Sequence, residues 1–141
     1  MAEAGADIVA IDGTRRPRPD GLSLAATIEG LRAHSDALIM ADCGSLDDAI
    51  AAEAAGADLL GTTLSGYTGE RPKSVGPDLE LIGLIARHCL RPIVAEGRIH
   101  TPVQASAAIA AGAYSVCVGT AITHPSTITS WFADAVAGAR A

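Results

Sequence analysis

Asp12, Asp42 and Glu96 each close a short apolar run: Ile8-Val9-Ala10-Ile11-Asp12, Leu38-Ile39-Met40-Ala41-Asp42 and Ile93-Val94-Ala95-Glu96. Two further runs, Leu59-Leu60-Gly61-Thr62-Thr63 and Val116-Cys117-Val118-Gly119-Thr120, close on hydroxyls. Carboxylates gathered on one rim suit general acid–base chemistry. Such chemistry needs a base with its pKa near working pH, within hydrogen-bond reach. Partial desolvation at a buried strand end is one route to that tuning. The neighbouring small residues suit an anion. Gly97 and the pair Gly119-Thr120 let backbone N–H groups approach an anion closely, and Arg98 adds charge. A single strand-end acid could equally cap a neighbouring backbone N–H. Recurrence at five strand ends favours chemistry.

These residues need a frame that puts the strand ends together. Continuous Val/Ile/Leu/Ala runs of this length read as strands of a parallel sheet, buried on both faces by helices. The segments Ala4-Gly5-Ala6-Asp7, Ala55-Gly56-Ala57-Asp58 and Ala111-Gly112-Ala113-Tyr114 each close an Ala-rich helix and lead into a strand. Glycine there supplies the positive φ of a helix C-terminus. Helices are predicted near Leu22–Ala33, Leu46–Ala55, Asp78–His88, Pro102–Ala111 and Ser126–Ala139. Ser45 before Asp47 and Asp48, Pro77-Asp78, Thr101-Pro102 and His124-Pro125-Ser126 mark their starts. The order is an alternating β-α succession with right-handed crossovers expected. Polar residues at carboxyl ends of parallel strands are where a (β/α)8 barrel collects its site. Such a barrel needs eight strands and typically ~250 residues, against five units and 141 residues here. The chain is therefore read as one domain, 1–141, forming the carboxyl-terminal five-eighths of a TIM barrel that opens in a helix end at Met1–Ala4. The alternative is a complete five-stranded doubly wound sheet.

Composition narrows the function classes. The formal charge of −6 disfavours nucleic acid, whose phosphates need a basic surface. No apolar run approaches the ~20 residues of a membrane span, and the start lacks a signal-peptide pattern. The chain is 49% hydrophobic but only 3% aromatic, so small aliphatic side chains must fill the core. Cys43, Cys89 and Cys117 show no paired spacing, which fits reduced thiols in a cytoplasmic protein. Cys43 reads as a small buried hydrophobe rather than a nucleophile. His34, His88 and His100 have no metal-ligand spacing with each other or with the cysteines, and no metal or organic cofactor is assigned.

Taken together, Ala10-Ile11-Asp12-Gly13-Thr14-Arg15-Arg16-Pro17-Arg18-Pro19, Met40-Ala41-Asp42-Cys43, Gly61-Thr62-Thr63-Leu64-Ser65-Gly66-Tyr67-Thr68, Ala95-Glu96-Gly97-Arg98-Ile99-His100 and Val118-Gly119-Thr120-Ala121-Ile122-Thr123-His124-Pro125 closely resemble the bacterial N-acetylmannosamine-6-phosphate 2-epimerase family. The resemblance runs from Gly5 to about Phe132. It implies a barrel of the ribulose-phosphate-binding type that interconverts N-acetylmannosamine 6-phosphate and N-acetylglucosamine 6-phosphate in sialic acid and amino-sugar catabolism. The implied chemistry removes the proton beside C1 and returns it to the opposite face, without a metal or organic cofactor. By motif match, Glu96 is the catalytic carboxylate and Asp42 a substrate-binding residue. Asp12, Thr62, Tyr67 and His124 are expected against the substrate, with Gly97, Arg98, Gly119 and Thr120 on the phosphate. His124 stands where the family usually carries arginine, which weakens any anion contact there. The loop from Thr62 to about Gly76 is expected to serve as a lid carrying Tyr67. The cluster Arg15, Arg16 and Arg18 is expected to point at substrate or at neighbouring units.

The resemblance also places the family's catalytic lysine on an earlier strand than any here. Lys73, the only lysine, has no matching position. A chain with Glu96 and without that lysine is expected to be inactive or nearly so as an epimerase. Two other readings stay open. One is a non-catalytic phosphosugar-binding or assembly half-barrel, with self-association or a homodimer through its open strand edge. The other is a related phosphate-binding barrel such as a thiamine-phosphate synthase, which lacks the DGTRRPRP and GTTLSGYT segments.

Overall fold

The computed structural model describes residues 5–139. The helix end expected at Met1–Ala4 lies outside them. Five parallel strands, β1 (Ile8–Asp12), β2 (Leu38–Asp42), β3 (Leu59–Gly61), β4 (Ile93–Glu96) and β5 (Ser115–Cys117), form one sheet in the order β1-β2-β3-β4-β5. Helices α1 (Leu24–Arg32), α2 (Leu46–Ala54), α3 (Leu79–His88) and α4 (Pro102–Ala110) follow β1 to β4, and α5 (Thr120–Thr123) and α6 (Pro125–Gly138) follow β5. Each strand pairs with its sequence neighbour, so the described residues show no reversal of strand order and no doubly wound switch point.

Local chemistry accounts for the helix starts. The Ser23, Ser45, Asp78 and Thr101 side chains accept from the Ala26, Asp48, Leu81 and Gln104 N–H groups respectively. Gln104 returns a bond to the backbone of Thr101, completing a capping box ahead of Pro102. Ser23 as cap moves the start of α1 from the expected Leu22 to Leu24. His124 precedes Pro125 but caps α6 with no side-chain bond to its backbone. Gly112, at φ 113°, closes α4 where an added Cβ would stand 2.6 Å from the Ala86 Cβ. Only glycine fits there.

The register fixes the two faces of the sheet. Asp12 pairs with Asp42, Asp42 with Gly61, Gly61 with Val94, and Glu96 with Cys117. Since side chains alternate along a strand, Val9, Ile39, Ala41, Leu60, Ile93 and Ala95 share one face. That face is buried against Ile28, Ala49, Ala52, Leu81, Ile82, Ile85 and Ala108 of the helices. The opposite face carries Ile8 and Leu38, 49% and 47% exposed, with Asp12, Asp42 and Glu96 above them. The expectation of strands buried on both faces is therefore corrected: the helices cover one face only. Apolar runs arise here because lower positions on the open face are also aliphatic.

Two strand ends also differ from expectation. β5 stops at Cys117, and Thr120 opens the single turn α5, whose Thr123 hydroxyl donates to the Gly119 carbonyl at 2.9 Å. β3 stops at Gly61, and the Thr62 hydroxyl beyond it donates to the backbone of β4.

Candidate active site

Glu96 ends β4 on the open face. Beside it lies a cleft of about 370 Å³ lined by Glu96, Gly97, Arg98, Tyr67, Cys117, Gly119 and Thr120 among others. The chain leaves β4 through two residues in the left-handed region, Gly97 at φ 108° and Arg98 at φ 57°. Positive φ at a non-glycine residue costs of order 1–3 kcal/mol and persists where surrounding contacts hold it. Three bonds hold Arg98: its guanidinium donates to the Ser65 carbonyl at 2.8 Å, the Gly76 carbonyl at 3.1 Å and Ser74 Oγ at 3.2 Å. Its charge is thus spent fastening the loop between β3 and α3, and its Cζ lies 5.6 Å from the Tyr67 ring centroid.

That loop is tied at several points. Ser65 Oγ donates to Asp78 Oδ2 at 2.6 Å, and Arg71 pairs with Asp78 at 2.7 Å and with Glu80 at 2.8 Å. Tyr67 is exposed at the cleft mouth, with Lys73 Nζ 4.6 Å from its ring centroid. The Arg98 side chain, and after it Lys73, hold the Tyr67 phenol below its ordinary pKa.

Asp42 lies two strands from Glu96 on the same face and does not line this cleft. Thr63 Oγ1 donates to Asp42 Oδ1 at 2.8 Å. Burial is the largest influence on Asp42 and raises its pKa. The Thr63 bond opposes it, and the charges of Glu96 and Asp12 add to the rise. Linkage sets the sign: a carboxyl with a raised folded pKa contributes stability below its unfolded pKa and loses it as pH rises through the folded value. Asp42→Asn is therefore expected to raise Tm at pH 7, with the gain shrinking toward pH 3. Thermal denaturation of the two proteins across that range measures it, and an unchanged or lowered Tm at pH 7 contradicts it.

Asp12 does not line the cleft. Its Oδ1 accepts from the Thr14 N–H at 2.8 Å and the Thr14 hydroxyl at 2.6 Å, and Oδ2 pairs with Arg16 at 2.8 Å. Burial pushes its pKa up, but the Thr14 bonds and the Arg16 charge outweigh it and leave the pKa low. The arginine cluster is taken up by neighbouring acids and a carbonyl while its side chains stay partly exposed. Arg15 pairs with Asp48, Asp47 and Glu70, and Arg18 donates to the Asp12 carbonyl.

Thr62 is buried, and its hydroxyl is consumed by β4: it donates to the Glu96 carbonyl at 2.9 Å and accepts from the Glu96 N–H at 3.1 Å. His124 lies outside the cleft, its Nδ1 2.5 Å from Thr127 Oγ1 at the start of α6. Cys43 is fully buried, its thiol donating to the Ala41 carbonyl at 3.3 Å and pushed well above its ordinary pKa by burial. Sequence reasoning missed Cys117 and Thr63. Cys117 shares the face of Glu96 by strand register, and burial, then the charge of Glu96, raises its thiol pKa. The available signal was strand parity, applied to β5 once its end is set at Cys117.

A consecutive parallel β/α sheet with its polar groups on the carboxyl-terminal rim belongs to the α/β class of (β/α)8 barrels. Within that class, residues 1–138 match the family model described as "Putative N-acetylmannosamine-6-phosphate epimerase", and the chain belongs to this NanE family. A Cutibacterium acnes protein described as a "Putative N-acetylmannosamine-6-phosphate 2-epimerase" is 61% identical over 138 residues, 96% of this chain and 60% of its own length. A Caldanaerobacter subterraneus protein of the same description is 49% identical over 133 residues, 94% of this chain and 56% of its own. The solved N-acetylmannosamine-6-phosphate 2-epimerase from Clostridium perfringens superposes with a TM-score of 0.86 at 40% identity, over 91% of this chain and 56% of that one. The thiamine phosphate pyrophosphorylase from Pyrococcus furiosus is a more distant likeness, TM-score 0.61 at 26% identity. The chain spans little more than half the length of its epimerase relatives.

Proposed function

We propose that this chain is the carboxyl-terminal five-eighths of an epimerase barrel and supplies Glu96 as a base for C2 of an N-acylhexosamine 6-phosphate. The reaction is an isomerisation, N-acetylmannosamine 6-phosphate to N-acetylglucosamine 6-phosphate. The observation that carries this reading is the cleft in which Glu96 adjoins Gly97, Gly119 and Thr120. An acid beside backbone able to approach an anion is what a phosphosugar needs from this rim. In the open-chain sugar, C2–H lies beside an aldehyde, so its removal leaves an enolate and asks only for a positioned base. Gly97, Gly119 and Thr120 are assigned to the phosphate. Arg98 is assigned to holding the loop that carries Tyr67 against the same cleft, and Asp42 to a sugar hydroxyl. A free cytoplasmic phosphosugar suits a chain in which no helix of the described residues is long and apolar enough to cross a membrane.

Titration with N-acetylmannosamine 6-phosphate tests the assignment, followed by backbone amide NMR. Shifts at Gly97, Gly119 and Thr120 that are absent with unphosphorylated N-acetylmannosamine are the expected result. Shifts confined to other strand ends contradict it.

The uncovered sheet face favours a second reading, a phosphosugar-binding half-barrel that associates through that face. Ile8 and Leu38 exposed beside the unpaired edge of β1 are the specific observation.

A further inference from the structure

The segment that ends β3, Gly61-Thr62-Thr63, stands between the two carboxylates assigned to the site. Gly61 pairs with Asp42 on one side and Val94 on the other. A Cβ on Gly61 would fall on Asp42 Oδ1, well inside contact distance. That same oxygen accepts the bond from Thr63 Oγ1 at 2.8 Å. One residue earlier, the Thr62 hydroxyl brackets the peptide of Glu96, donating to its carbonyl and accepting from its N–H. Three consecutive residues therefore act on two carboxylate-bearing residues from neighbouring strands.

We propose that Gly61, Thr62 and Thr63 are positioning residues that set the Asp42 carboxylate and the Glu96 backbone relative to one another. Gly61 does so by lacking a side chain. The Asp42 carboxylate rests over β3 in the space this leaves, and Thr63 fixes which way it turns. Thr62 ties the end of β4 to the end of β3, so a shift of either strand end is shared by both acids. This rests on the reading of Glu96 and Asp42 as site residues, but the geometry itself does not depend on turnover.

The test uses Thr63→Val, Thr63→Ser and Gly61→Ala in the full 141-residue chain. Asp42 is followed by carboxyl-carbon NMR titration, and C2 exchange of N-acetylmannosamine 6-phosphate by deuterium uptake. Asp42 faces Asp12 from β1, Glu96 from β4 and the Thr63 hydroxyl, so all three groups enter its titration. Thr63→Val removes the one donor, and the Asp42 pKa is expected to rise by about one unit. Thr63→Ser is expected to restore it. Exchange is expected to fall about tenfold in kcat with KM little changed in Thr63→Val, and likewise in Gly61→Ala, where Asp42 is pushed aside. An Asp42 titration unaltered in both Thr63→Val and Gly61→Ala overturns the inference. If wild type shows no exchange, the assignment of Glu96 fails, and the titration alone then decides whether β3 positions Asp42.

Discussion

Glu96→Gln is expected to slow C2 proton exchange about 10²- to 10⁴-fold, the usual worth of a positioned general base, with phosphosugar affinity within about threefold of wild type. Glutamine keeps the length and shape of the side chain and removes its basicity. The Glu96 backbone stays bracketed by Thr62, so the substitution leaves the strand end in place. Because Gly97, Gly119 and Thr120 are assigned to the phosphate, ground-state binding survives while the transition state loses its proton acceptor. That pattern, kcat lowered with KM nearly constant, marks an interaction made in the transition state. Deuterium uptake followed by NMR measures the rate, and isothermal titration measures the affinity. Equal exchange rates in Glu96→Gln and wild type would place the base elsewhere.

Asp48→Ala is expected to destabilise the fold by about 2–4 kcal/mol, the range for stranding buried partners of a lost carboxylate. Asp48 is completely buried. One oxygen accepts from the Arg15 N–H at 3.0 Å and from Arg15 Nε at 3.2 Å; the other accepts from the Gly44 N–H at 3.1 Å. The Arg15 side chain is 46% exposed and also pairs with Glu70 at 2.8 Å, so its charge finds water and a second partner. The Gly44 and Arg15 N–H groups are less fortunate, and each unpaired buried donor costs roughly 1–3 kcal/mol. Asp48→Asn keeps the shape and is expected to lose less. Urea denaturation gives the comparison, and a loss below about 1 kcal/mol for alanine would show that the loop after β1 is held by other contacts.

Much of the scaffold was legible because its signals are local. Short aliphatic runs ending on Asp12, Asp42 and Glu96 mark strands directly. Ser45, Asp78 and Thr101 announce helix starts within four residues of the groups they cap. The grouping of Glu96, Gly97, Arg98, Gly119, Thr120 and Tyr67 in one cleft follows from strand ends sharing a rim. What stayed hidden is non-local or directional. Arg15 finds Asp48 and Glu70 33 and 55 residues away, and no spacing rule announces such a pairing. Arg98 sits beside a glycine in a motif suited to anions, yet its backbone conformation aims the guanidinium at the loop instead. Thr62 and Thr63 read alike in sequence, but the pleat turns one to the Glu96 backbone and the other to the Asp42 carboxylate. The open sheet face was legible from the strand count alone, since five strands of a barrel leave the inner face uncovered. Residue type gives no sign of it, Ile8 and Leu38 being as aliphatic as the buried Val9 and Ile39 beside them.

The most direct measurement is C2 deuterium uptake by N-acetylmannosamine 6-phosphate with this 141-residue chain in deuterated water. Exchange is a sharper readout than epimerisation, because a single base on one face can return a solvent deuteron to the side from which it took the proton. Deuterium entering at C2, at a rate that depends on Glu96, is the predicted result. No deuterium at C2 while the phosphosugar binds at Gly97 and Gly119 would contradict it and leave a binding module built on an epimerase rim.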